Sequence, residues 1–361
     1  MPRPLPRDHI LSLEPYALAA RDAASRRQIR LDQNENATPP APETLEAARA
    51  ALAEANRYPD ADAGPLREAI AAAEGLPAAR ILCGAGSMEL LGLIGQAYLR
   101  PGDEALISQH GYLYFRSVAQ ANGASVVLAP ERGFSADVDA LLGRVSPRTR
   151  ILFLANPNNP TGSLLGRGEL ERLRAGLRDD VILVLDGAYA EYVEDGAYDP
   201  GAFLVDRAPN TVMLRSFSKI HGLAGLRVGW GYFPTEIAAI LHRIRHPNAI
   251  GAPGIAAAAA AIGNLEHVAV MRRANAALRD WLFQELRSQG FDPCPSHGNF
   301  LLLPFETRGK GSAAYDYLRG AGILLRPLAG YGLGHCLRIT IGSWVEVRSL
   351  IQALAAWPGR S

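Results

Sequence analysis

Between Arg80 and Lys219 the chain repeats one pattern: a short apolar run, a loop rich in small and polar residues, then a stretch with helical spacing. The runs are "RILCGAGS", "DEALISQ", "ASVVLAP", "TRILFLANP", "VILVLDGAY" and "NTVMLRSFSK". Their apolar parts are continuous rather than alternating. That is the signature of strands covered on both faces, as in a parallel sheet packed between helices. "MELLGLIGQAYL" and "YLYFRSVAQANG", which follow two of the runs, have the matching helical spacing. The expected fold is therefore α/β, with a mainly parallel central sheet flanked by helices.

After Pro247 the pattern changes to two long helices, "IAAAAAAIGNLEHVAVMRRANAALRDWLFQEL", then strand-like "GNFLLLPF", "ILLRP" and "CLRITIG" separated by a helix. A smaller α+β C-terminal domain is expected there. The implied division is an N-terminal arm over 1–35, a large domain over 36–246 and a small domain over 247–361.

The 361 residues suffice for this arrangement. With 37 basic and 36 acidic residues, no bulk field favours nucleic acid or an anionic membrane. The most apolar segment, "GIAAAAAAIG", falls well short of the roughly 20 residues that span a bilayer and reads as a buried Ala-rich helix. Cys83, Cys294 and Cys336 share no CxxC spacing, which fits free thiols in a reducing cytoplasm. The opening "MPRPLPRDHILSLEP" lacks the apolar core of an export signal. His242 and His246 of "HRIRH" have a zinc-like spacing but no third ligand, and no metal site is expected.

Four loops at strand ends carry the chemistry, because ligands of open α/β sheets bind at the carboxyl edge. "GAGS" (Gly84–Ser87) leads into a helix whose amides and dipole suit an anion. Glu89 occupies the third glycine position of a dinucleotide fingerprint, which argues against that use. "NPNNPTG" holds Asn159 in a rigid turn. Asp186 ends the apolar "VILVL" run, and a carboxylate buried there needs a cationic partner such as a protonated pyridine. Tyr189 follows it, and Lys219 ends "SFSK". A lysine to hold an aldehyde, a carboxylate for a pyridinium, an amide and a phenol for a ring oxygen, and Ser, Arg and Gly for a phosphate match the needs of pyridoxal 5′-phosphate.

With those residues in place, the chain resembles fold-type I pyridoxal-phosphate aminotransferases, and most closely the bacterial histidinol-phosphate aminotransferases. The segments that carry the resemblance include "RYPDADAGPLREAI", "LANPNNPTG", "LDGAYAEYV", "RSFSKIHGLAGLRVGW", "GNFLLL" and "YGLGHCLRITIG". It implies that Lys219 forms a Schiff base with the cofactor and shuttles the proton, that Asp186 partners the pyridinium, and that Asn159 and Tyr189 meet the ring's phenolic oxygen. It implies Tyr112 stacked on the ring, and Ala85, Gly86, Ser87, Ser216, Ser218 and Arg227 around the phosphate, with Tyr58 reaching the site of a partner subunit. On the substrate side it implies Arg338 for an α-carboxylate, Arg326 for a distal phosphate, and Tyr16 and Asn34 nearby. The implied protein is a cytoplasmic homodimer with shared active sites, exchanging an amino group between glutamate/2-oxoglutarate and histidinol phosphate or an aromatic or related amino acid. Other implied readings are a paralogous aminotransferase for a different amino acid, a decarboxylase of the threonine-phosphate type, or a cofactor-binding regulator. The chain departs from the family pattern at Met88, at Gly187 and at Asn248–Ala249.

Overall fold

The computed structural model describes residues 4–11, 13 and 28–360. In chain order the strands are β1 (Ile29–Leu31), β2 (Ile81–Gly84), β3 (Glu104–Ser108), β4 (Ser125–Ala129), β5 (Glu131–Arg132), β6 (Ser135–Ala136), β7 (Thr149–Ala155), β8 (Ile182–Asp186), β9 (Thr211–Ser216), β10 (Gly229–Tyr232), β11 (Phe300–Pro304), β12 (Ile323–Leu328) and β13 (Leu333–Thr340). Seven of them form one sheet in the order β2-β10-β9-β8-β7-β3-β4, and only β10 runs against the rest. The mainly parallel sheet expected from the apolar runs is present.

The continuity of those runs has a direct packing cause. Ile151 and Phe153 of β7 enter one core with Val184 of β8 and Ile94 and Phe115 of the overlying helices. Leu152 and Leu154, the residues between and after them, enter a second core with Leu183, Leu185 and Leu170 on the opposite face. Successive strand side chains point to opposite faces, so covering both faces demands an apolar residue at every position. All of these side chains are buried, and each removes apolar area from water at roughly 25 cal/mol per Å².

A second sheet of four strands, in the order β1-β12-β13-β11, forms the C-terminal unit. Its edge strand comes from the other end of the chain: Ile29–Leu31, within the segment expected as an arm, pairs parallel with Ile323–Leu325. The Ala-rich helix Ala252–Gly263 also differs from the expected division. Ala257, Ala258 and Ala261 lie in the same core as Leu66, Ile70, Trp230 and Tyr232, so this helix packs on the large sheet's side. Small side chains on that face allow close approach to its neighbours. The following helix, Leu265–Ser288, instead gives Leu282 and Leu286 to the core of the small sheet. Among the described residues no single helix is long and apolar enough to cross a membrane.

Candidate active site

Sheet register places the four chemical loops side by side. Ala155 lies opposite Asp186, Ser216 opposite Gly229, and Gly229 opposite Gly84. The chain leaves β7, β8, β9 and β2 at one common edge. A cavity of about 490 Å³ opens there, floored by Asn159, Asp186, Tyr189, Ser216 and Lys219, and closed from the small sheet by Arg326, Tyr331 and Arg338. A hollow of about 530 Å³ on the small unit, lined by Thr307, Arg308 and His335 among others, contains none of these residues.

Asp186 is 4% exposed. One of its oxygens, Oδ1, accepts the Ala188 N–H at 3.0 Å, and among the described residues no cationic side chain lies within ion-pair distance. Burial pushes its carboxyl up to about 6, against the pull of the Ala188 amide and the Lys219 charge. Opposite it, Lys219 Nζ donates to the backbone oxygens of Asn34 at 3.2 Å and Gln33 at 3.4 Å. Its ammonium is pushed down to about 7 by desolvation and by the nearby Arg338 and Arg227 charges, with Glu35 and Asp186 opposing. A buried carboxylate with no cation at ion-pair distance suits a cationic pyridine ring, and a lysine with a pKa lowered to about 7, about half neutral at pH 7, suits an aldehyde.

The arginine of the small sheet fixes a second feature. Arg338 Nη1 donates to Asn159 Oδ1 at 2.6 Å and Nη2 to the Asp32 carbonyl at 2.8 Å. With Oδ1 so occupied, the Asn159 amide keeps its Nδ2 donors for the cavity. Arg338 is 6% exposed and its Nε has no partner. Arg326 sits directly across from it in the β12–β13 ladder, and both line the cavity.

The anion-binding corner comes from three segments. The helix Ser87–Tyr98 starts at the cavity, and its first-turn amides, including those of Ser87 and Met88, have no acceptor within the helix. Ser216 Oγ accepts the Ser218 N–H at 3.1 Å, and Ser218 Oγ accepts Arg227 Nη1 at 3.1 Å, which leaves both hydroxyl protons to donate. Arg227 takes a left-handed backbone (φ 53°), an uncommon conformation for a residue with a side chain. Two glycines permit the approach. A Cβ on Gly86 (φ 82°) would lie 2.4 Å from Arg227 Nη2, and one on Gly229 would lie 2.2 Å from the Ser87 nitrogen. Two expected amides are used elsewhere: Ala85 N–H donates to Glu89 Oε2 at 2.5 Å and Gly86 N–H to the Gly84 carbonyl at 2.7 Å. The donors left to the corner are therefore Ser87, Met88, Ser216, Ser218 and Arg227.

The remaining expected residues divide. Tyr112 lines the cavity and packs edge-on against Phe115 at 5.6 Å. Asn34, expected beside the substrate, is fully buried with its amide spent on Tyr189 and Thr340. Tyr58 is 89% exposed and lies outside this cavity's lining. Tyr16 falls outside the described residues. His242 Nδ1 lies 4.0 Å from Asp62, and among the described residues no three potential metal ligands cluster. Two residues and one ion pair were not singled out from sequence. Asn299 donates to the Asn34 carbonyl at 3.1 Å. Thr340 bonds Asn34 twice. Beneath the floor, Arg215 of β9 pairs with Glu191 at 2.9 Å, both buried. Their segments, "GNFLLL", "LRITIG" and "RSFSK", do stand out, but nothing local marks these members as partners.

Comparison with known proteins identifies the family. A model of the family "Aminotransferase class I and II" matches residues 26–354. The histidinol-phosphate aminotransferase of Paramagnetospirillum magneticum is 46% identical over 99% of this chain and 100% of its own length. That of Rhodospirillum rubrum is 46% identical over 98% and 97%. Among solved structures, the histidinol-phosphate aminotransferase of Sinorhizobium meliloti in complex with pyridoxal 5′-phosphate superposes with a TM-score of 0.89 at 29% identity, covering 98% of this chain and 96% of that one. Aspartate aminotransferase of Thermus thermophilus shares the fold, at a TM-score of 0.80 and 24% identity. The chain belongs to the class I and II aminotransferases, the pyridoxal-phosphate-dependent transaminases of fold type I.

Proposed function

We propose that this aminotransferase exchanges an amino group between histidinol phosphate and 2-oxoglutarate, yielding glutamate. The observation that carries the reading is the pair Arg326 and Arg338, cross-strand neighbours facing one cavity. Two guanidinium forks suit two kinds of anion, the α-carboxylate of glutamate and the phosphate of histidinol phosphate. The shared name of the relatives at 46% identity supports the same substrate.

When bound, the cofactor withdraws electrons from the substrate Cα. This chain's own residues do the rest. Asp186, through the oxygen not engaged by Ala188, holds a ring nitrogen cationic. Asn159 Nδ2 and the Tyr189 hydroxyl serve the ring oxygen, and Ser87, Ser216, Ser218 and Arg227 serve the phosphate. Lys219 would hold the cofactor's aldehyde, and its Nζ, once free, is the group on this chain to take up a proton from the substrate Cα and give it back. Its lowered pKa of about 7 keeps a large neutral fraction at neutral pH, as a base requires.

The same reading includes a homodimer in the cytoplasm. Tyr58, almost fully exposed, then serves the site of a second copy. The three free cysteines fit a reducing compartment. The test is to supply the purified protein with pyridoxal phosphate, histidinol phosphate and 2-oxoglutarate and to measure glutamate. Glutamate formation is expected. A protein that transaminates another amine but not histidinol phosphate contradicts the substrate, and carbon dioxide release in place of transfer contradicts the reaction.

A further inference from the structure

Asn34 sits at a junction that its own side chain does not explain. Its backbone is left-handed (φ 54°) and its side chain is fully buried. Its N–H donates to Thr340 Oγ1 at 2.9 Å, Thr340 Oγ1 lies 3.1 Å from Asn34 Oδ1, and Asn34 Nδ2 lies 2.9 Å from the Tyr189 hydroxyl. Thr340 itself is 2% exposed, at the end of β13, and is not part of the cavity wall.

One assignment of the protons in this cluster gives the Thr340 hydroxyl proton an acceptor. A backbone N–H is always a donor, so Thr340 Oγ1 must accept from Asn34. A hydroxyl carries one proton, and the other neighbour of Thr340 Oγ1 in this cluster is the Asn34 amide. Giving that proton to Oδ1 fixes the amide orientation and turns Nδ2 toward Tyr189. Tyr189 then receives a hydrogen bond from Asn34 and finds no acceptor there for its own proton. The phenol lines the cavity, and burial raises its pKa above the usual phenol value, which keeps it protonated. The backbone around Asn34 is held from the other side by Asn299 Nδ2, which donates to the Asn34 and Glu35 carbonyls at 3.1 and 3.3 Å. The amide cannot simply swing away.

We propose that Thr340 is a positioning residue: its hydroxyl proton orients the Asn34 amide and thereby commits the Tyr189 O–H to donate into the cofactor cavity. Without that hydroxyl the amide is free to flip. In the flipped form Asn34 Oδ1 accepts the Tyr189 proton, and the phenol is lost as a donor to the cofactor's phenolic oxygen. The inference rests on the cofactor reading above and adds a residue that acts on it from outside the cavity.

The experiment is a pH titration of the visible absorbance of the cofactor bound to Lys219, in the wild type, Thr340→Val and Thr340→Ser. A donor to the phenolic oxygen favours the deprotonated chromophore, because that form carries the extra negative charge. Losing the donor raises the pKa. One hydrogen bond is worth about 0.5–1.5 kcal/mol, so Thr340→Val should move the titration up by roughly 0.4–1 pH unit. Thr340→Ser, which keeps the hydroxyl, should titrate with the wild type. In a Tyr189→Phe background, Thr340→Val should add nothing, since the proton it directs is gone. If Thr340→Val does not fold, Thr340→Ala removes the same hydroxyl without adding a methyl and carries the same expectation. Weakened cofactor affinity with an unchanged titration would mean a structural role and overturn the proposal, as would an equal shift in the Tyr189→Phe background. A wild type that forms no pH-sensitive chromophore with Lys219 would instead overturn the cofactor reading itself.

Discussion

The floor and the wall of the cavity are built on opposite plans. On the floor, Asn159, Asp186, Ser216 and Lys219 each stand within a few residues of a strand end in one seven-stranded sheet, and parallel register brings those ends into line. The wall comes from inside strands. Arg326 and Arg338 meet because β12 and β13 pair antiparallel, and behind them Thr340, outside the cavity lining, meets Asn34 from 306 positions away in the sequence. The floor carries groups that any transamination needs. The wall carries groups that decide which anion enters and how floor residues are aimed. Chemistry is thus set by local motifs on a rigid sheet, and selection by long-range contacts.

The largest effect should come from the floor. Lys219→Ala removes both the covalent anchor and the proton-transferring amine, and should cut kcat by at least ~10³-fold without abolishing folding. Steady-state rates and borohydride trapping of the cofactor check it; a near-normal rate would mean that the floor has been misassigned. Asp186→Asn comes next, at about 10²–10³-fold in kcat, because a neutral amide cannot hold the ring nitrogen cationic. A wall substitution should act differently. Arg338→Lys keeps the charge but loses the fork, and should raise KM for glutamate by roughly 10-fold or more while changing kcat less. A loss confined to kcat would erase the distinction between floor and wall.

The smallest effect is on the stability of the cofactor-free protein. Lys219 has a folded pKa of about 7 against 10.5 in an ordinary lysine. Between those values the unfolded chain binds more protons, so stability rises with pH across that window. Asp186 has the opposite sign: its carboxyl lies near 6 instead of 3.8, the folded state binds more protons, and stability falls as pH rises between the two. Melting curves of the wild type and Lys219→Met at several pH values from 7 to about 10 should show the rising slope lost in the variant.

The same contrast accounts for what could be read in advance. The six apolar runs, the common edge and the Asp186–Asn159–Lys219 set were legible because each depends on residues adjacent in sequence. β10 was not recognised as a strand, since "GWGY" alternates two buried aromatics with glycines that give no apolar continuity. β1 was hidden in the arm because three residues have no periodicity of their own and pair with a strand near the other end of the chain. Helix Ala252–Gly263 was assigned by its sequence neighbours, whereas its alanines pack on the large sheet's helices. Asn34 was placed at the substrate, but its amide is consumed by two partners that no local pattern reveals. The resemblance assigns Ala85 and Gly86 to the anion corner, and in the structure their N–H groups bond Glu89 and the Gly84 carbonyl, partners that the local sequence does not mark.

The division between floor and wall is tested most directly by measuring KM and kcat for histidinol phosphate and for glutamate in Arg326→Ala. The account predicts a KM for histidinol phosphate raised by about 10-fold or more, a much smaller change for glutamate, and a kcat near that of the wild type for both. Equal losses for the two substrates, or a collapse of kcat with KM unchanged, would contradict it.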